Sequence, residues 1–134
     1  MIKKYTNSQL KVWNSVINVS KKISNITNFF MEEDLKSMGE TLQNTARKLQ
    51  EQLEEEIKEE EYHNTFTGYK KSLNLVNMME EDLIYAFDQG CITERELKIT
   101  LEAITIYTQE IKTHLNRNEE SHKLIRHLNA IPTK

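Results

Sequence analysis

Leu83-Ile84-Tyr85-Ala86-Phe87-Asp88-Gln89-Gly90-Cys91-Ile92-Thr93-Glu94-Arg95-Glu96-Leu97 reads as the end of one helix, a tight corner and the start of the next. Gly90 can take the left-handed conformation that stops a helix, because it has no Cβ to clash. Thr93 can then accept from a free backbone N–H, and Glu96, three residues on, can reach back to Thr93. That is a capping box. The corner therefore predicts two antiparallel helices, ending near Gly90 and starting near Thr93.

Working outward, apolar residues recur at helical spacing. Before the corner, Phe66, Tyr69, Leu73, Val76, Met79, Leu83 and Phe87 form one stripe. After it come Leu97, Leu101, Ile104, Tyr107, Ile111 and Leu115. Near the start, Val12, Val16, Val19, Ile23, Ile26 and Phe30 lie at gaps of three and four, widened by Leu10, Trp13 and Ile17. Asn7 or Ser8 is the expected cap. Leu35, Met38, Leu42, Ala46, Leu49, Leu53 and Ile57 mark a second helix. It opens on Glu32-Glu33-Asp34, acids that suit the positive end of a helix dipole. Corners are expected at Phe29–Asp34 and near Tyr62-His63-Asn64-Thr65. Residues 116–134 are an extension, either continuing the last helix through Leu124, Ile125 and Leu128 or forming a short separate one.

With three Gly and one Pro, the chain has few places to turn, so its elements are long. A single domain over 1–134, with its core at about 8–115, follows from the length. The expected fold is all-α, an antiparallel up-down-up-down four-helix bundle. Met1-Ile2-Lys3-Lys4 precedes Tyr5-Thr6-Asn7-Ser8 and not an apolar run, and no stretch of ~18 apolar residues follows. We expect a soluble, cytoplasmic protein without membrane contact. One cysteine, Cys91, excludes an internal disulfide and suits a small apolar residue at the corner.

Charge is segregated. Residues 1–31 and 111–134 are net basic, and the stretch between them is net acidic. Antiparallel packing makes the first and last helices neighbours. Lys21, Lys22, Arg117, Lys123 and Arg126 could then supply phosphate contacts on one strip. The Glu-rich run within Gln50–Glu61 reads as a solvated face, with an acidic docking surface as the alternative. Leu75, Met78, Tyr85, Ile99, Ala103 and Ile106 lie off the core stripes at helical spacing. They read as either a broad core face or an interface between subunits.

Catalytic and metal motifs fare poorly. Glu60/His63 and Glu119/His122 have the Glu-x-x-His spacing of di-iron bundles, but they fall in polar segments and not on a core stripe. We expect no metal, no cofactor and no enzyme activity. Neither a phosphate-binding Gly-rich loop nor a nucleophile elbow is present. His114 and His127 read as surface or rim residues, and Glu80, beside a core stripe, needs a partner if buried.

Three stretches carry a family resemblance. They are Leu10-Lys11-Val12-Trp13, the Leu73–Phe87 helix with Glu80 and Leu83, and the corner Gly90-Cys91-Ile92-Thr93-Glu94-Arg95-Glu96. Together they resemble the bacterial four-helix-bundle family of the ribosomal-RNA intervening-sequence proteins. The accessory variability determinant of diversity-generating retroelements is similar to that family. The resemblance spans about residues 8–115. The sequence departs from the family where an Arg-rich segment with Pro and Gly is usual, since Gln43–Glu61 has neither and is acidic. Met78 and Cys91 also stand where the family has Glu and an aromatic residue. The resemblance implies a ring-shaped homo-oligomer, a pentamer, without catalysis. It also implies a non-enzymatic accessory protein joining a nucleic-acid enzyme, a reverse transcriptase, to RNA. The alternative is a helical adaptor that binds only proteins.

Overall fold

The computed structural model describes residues 5–28, 30, 33–63 and 69–130, with 33–35, 61–63 and 118–130 as backbone alone. Among them run four helices: α1 (Asn7–Thr27), α2 (Glu33–His63), α3 (Lys70–Asp88) and α4 (Glu94–Ala130). Each packs on the next, and α4 closes on α1. No described helix is long and apolar enough to cross a membrane.

Cross-helix hydrogen bonds give the directions. Gln43 donates to Thr27 at 2.8 Å and Gln50 to Ser20 at 2.5 Å, so numbers rise along α2 as they fall along α1. Ser8, at the start of α1, meets His114, late in α4. The result is the antiparallel up-down-up-down four-helix bundle.

The decisive corner is built as its residues dictate. Gly90 has φ +76°. Its N–H donates to the Phe87 carbonyl, and that of Cys91 to the Ala86 carbonyl, both at 2.9 Å. These two bonds are the Schellman closure, which satisfies carbonyls that the helix end would leave bare. Thr93 and Glu96 then exchange the capping-box bonds, at 2.9 and 3.1 Å. A second box opens α1, one residue earlier than expected. Thr6 is the cap because Gln9, three residues on, bonds its N–H at 2.9 Å.

The core takes the predicted stripes of α1 and α2, except that Leu10, expected to widen the α1 face, is 41% exposed, and the Leu35 side chain lies outside the described residues. Val12, Val16, Val19 and Ile23 face Leu42, Leu49, Leu53 and Ile57, all at most 1% exposed. Each such side chain stabilises by ~1.5–3 kcal/mol relative to exposure. Gly39 leaves room for Phe30, since a Cβ there would stand 3.1 Å from the ring.

Three expectations change in α3 and α4. Phe87 is 36% exposed, and Ala86, one residue earlier, holds the buried position before the corner. Tyr69 is buried but not helical. It precedes α3 with φ 55°, while Phe66 lies outside the described residues. Finally, α4 continues through Asn116-Arg117-Asn118 to Ala130 without interruption, so the extension is a continuation of α4.

Candidate functional site

The structure offers two kinds of candidate site, a polar cluster and surface patches. The sequence pattern did not foresee the cluster, which draws on α1, α2, α4 and Tyr69 at the start of α3. His114 is only 3% exposed. Its Nε2 lies 2.7 and 3.0 Å from the two carboxylate oxygens of Glu60, and its Nδ1 lies 2.6 Å from Ser8 Oγ. An ionised carboxylate only accepts, so Nε2 carries the proton and Nδ1 accepts from the Ser8 hydroxyl. Tyr69 donates to Glu60 Oε2, the oxygen farther from the imidazole, at 2.5 Å, and its ring meets the imidazole edge-on at 5.7 Å. Gln9 adds a longer bond to Glu60, at 3.4 Å. Burial, the bond to Glu60, and the nearby Glu60 and Glu56 charges all push the Tyr69 phenol above its usual range. It therefore stays a donor.

One turn deeper, Glu56 is 3% exposed. Its carboxylate accepts from the Ser72 hydroxyl at 3.0 Å and the Ser72 N–H at 3.3 Å. The Lys71 N–H is also directed at it. Residues 71 and 72 lie in the first turn of α3, whose own cap position, Tyr69, makes no side-chain cap bond. A carboxylate of α2 thus caps α3 from outside. The Tyr107 hydroxyl is buried beside this pair. The Ser72 hydroxyl stands near it without completing a hydrogen bond.

Burial raises the Glu56 pKa above its ordinary 4.5, with the Ser72 bonds opposing. The folded protein then holds this proton more tightly than the unfolded chain does. Stability contributed by Glu56 is therefore greatest below about pH 4.5, falls as pH rises through the folded value, and is level above it. Glu56→Gln keeps a carbonyl to accept from the N–H groups and an amide to donate to Ser72 Oγ. Urea denaturation from pH 4 to 8 should show that the variant lacks this decline and is the more stable protein at pH 8.

The order hydroxyl–imidazole–carboxylate is that of a nucleophilic relay. A nucleophile must present its oxygen to a substrate, however, and the Ser8 hydroxyl is turned inward onto an almost fully buried ring. The cluster is a joint that ties α1, α2, α3 and α4 together. Glu60 therefore turns to His114, and the His63 side chain lies outside the described residues, as do those of Glu119, His122 and His127. Among the described residues no group of three or more His, Cys, Asp or Glu is placed to hold a metal ion.

Spacing could have placed several of its members on inward faces, though not brought them together. His114 lies three residues after Ile111 and seven after Tyr107, on the buried face. Glu56 and Glu60 follow Leu53 and Ile57 by three residues each.

The expected surface residues divide. Ala103 is 3% exposed and belongs to the core with Thr100, Ile104 and Tyr107, so it cannot serve an interface between subunits. It is small and sits on the inward face of α4. Leu75 is half-buried, packs on the core and edges a shallow polar groove with α2. Met78, Tyr85, Ile99 and Ile106 are exposed, from 37% to 57%. Glu80 is half-buried.

Of the expected basic strip, the described members stand apart. Lys21, Arg117 and half-buried Lys22 are at the surface. With Ser8 level with His114, Lys21 and Arg117 stand roughly 24 Å apart along the axis at ~1.5 Å per residue. The Lys123 and Arg126 side chains lie outside the described residues. A compact strip joining all five residues is therefore not formed by the described ones.

The sequence matches no protein-family model, no curated protein and no solved structure.

Proposed function

We propose that this chain is a self-associating accessory protein that works by binding and not by catalysis. The observation that carries the reading is a pair of exposed apolar stripes on two different helices. Met78 and Tyr85 are seven residues apart on α3, and Ile99 and Ile106 seven apart on α4. Met78 lies towards the α2 flank of α3, beside Leu75. Ile106 lies on the outer face of α4, where it borders a groove with Leu97 and Leu101. The two stripes therefore offer separate surfaces of the bundle. One stripe meeting the other on a neighbouring copy is a head-to-tail contact, which closes into a ring when the rotation allows. A pentameric ring is what the family resemblance implies.

Met78→Asp and Ile106→Asp each place a charge on one stripe without touching the core. Light scattering should show particles reduced to single chains, with the helical circular dichroism retained. Wild-type protein that is already a single chain at working concentration would defeat the reading.

The resemblance supplies the finer role, joining a reverse transcriptase to RNA. Repetition of Lys21 and Lys22 around a ring would give weak phosphate contacts a combined strength. RNA affinity should then fall steeply with salt, and again on changing both lysines to Glu with the assembly intact. An assembled protein that binds no RNA at low salt leaves the protein-only adaptor.

A further inference from the structure

Two surfaces of the bundle carry opposite charge patterns at matching spacing. The first is the shallow groove between α2 and α3, lined by Lys48, Glu51 and Glu55 of α2 and by Lys71 and Leu75 of α3. Tyr69 bonds Glu60 and Ser72 bonds Glu56, so numbers rise along α3 as they fall along α2, and Lys71 stands level with Ile57. Along the groove the order is Lys48, then Glu51 and Glu55, then Lys71: basic, acidic, basic. The two lysines are roughly 14 Å apart along the axis at ~1.5 Å per residue. The second surface is the outer face of α4, where Glu94, Lys98 and Glu102 line a groove with Leu97 and Leu101. Its order is acidic, basic, acidic, and its two acids are roughly 12 Å apart on the same scale. All of these charged groups are exposed, and among the described residues none of them forms an ion pair within the chain.

We propose that the α2–α3 groove of one copy receives the outer face of α4 from a second copy. Glu94 and Glu102 then meet the two groove lysines, and Lys98 lies against Glu51 and Glu55 between them. Leu75, which stands between the lysines, meets Leu97 and Leu101 on either side of Lys98. Exposed Met78, one turn along α3 from Leu75, extends the apolar side of the groove, as Ile106 extends that of α4. Set antiparallel against itself, α4 would pair Lys98 with only one of its two acids and leave the Leu75–Met78 row uncovered. The pairing rests on the self-association reading and deepens it: the apolar stripes supply attraction, and the charges set the register and select the partner surface. Each copy offers one surface of each kind, so the contact is between unlike faces.

The test uses the whole chain and two double variants at exposed positions. Lys48→Glu with Lys71→Glu makes the groove wholly acidic. Glu94→Lys with Glu102→Lys makes the α4 face wholly basic. Each variant alone sets like charges against each other. Its association, followed by sedimentation over a concentration series, should weaken about tenfold or more, with the helical circular dichroism retained. Mixed in equal amounts, the two should assemble again. The unchanged α4 face of the first fits the unchanged groove of the second, and the basic face of the second fits the acidic groove of the first. Wild-type association in the Lys48→Glu, Lys71→Glu variant would overturn the proposal, and so would a mixture that associates no better than its parts. Either result, with assembly still lost in Ile106→Asp, would strike the groove pairing and leave self-association standing. A wild type that is a single chain would overturn both.

Discussion

Replacing His114 by alanine should lower the unfolding free energy by about 3 kcal/mol, read by urea denaturation at neutral pH. Three losses add. The Glu60 carboxylate, only 18% exposed, keeps its bonds from Tyr69 and Gln9 but loses the two closest to an imidazole donor. The Ser8 hydroxyl loses its acceptor. A cavity the size of a ring opens among packed neighbours. The pair must also be coupled. Glu60→Gln in the His114→Ala background should cost clearly less than Glu60→Gln alone, by about 1 kcal/mol or more. Additive losses would mean that the contact contributes little and that His114 matters only for its volume.

The second large effect lies at the corner. Gly90→Val should cost about 2 kcal/mol, because a side chain in the left-handed region meets its own backbone. Nothing lies within 4 Å of the position a Cβ would take, so the cost comes from the backbone and not from crowding by neighbours. The series therefore has an order. Gly90→Asn should be mildest, since Asn tolerates this conformation. Gly90→Ala should cost about 1 kcal/mol, and the β-branched valine should cost most. Thermal or urea unfolding of the three variants checks it. Equal losses for Asn and Val would place the cause elsewhere.

These two sites differ in how far they could be read beforehand. Everything that shapes the corner lies within a few residues: Ala86 and Phe87 receive the closing bonds, and Thr93 and Glu96 face each other at a spacing of three. Local rules suffice there. The His114 cluster joins residues 54 and 106 positions apart, so no local rule contains it. Periodicity placed Ile111 inward but treated His114 as a polar residue at a fading helix end. In fact α4 runs on past this point, and at His114 its inward face is still buried. Phe87 failed for the opposite reason. Its hydrophobicity argued for burial, but the sharp turn at Gly90 brings Ala86 into the core and leaves the larger ring outside. Ala103 looked like surplus apolar surface because it falls off the Leu97–Leu115 stripe in register with Ile99 and Ile106, yet its inward position puts it in the core.

The cap that Glu56 lends to α3 has a consequence for how the chain assembles. The corner at Gly90 is complete within its own sequence, so α3 and α4 can register as a hairpin early, at small loop-closure cost. The beginning of α3 cannot. Its first N–H groups find their acceptor only once the far half of α2 has arrived, as do the Tyr69 hydroxyl and the imidazole that share Glu60. The late turns of α2 and the first turn of α3 therefore open and close as one cooperative unit. Loosening at that end of the bundle spreads sideways between helices instead of fraying along one of them.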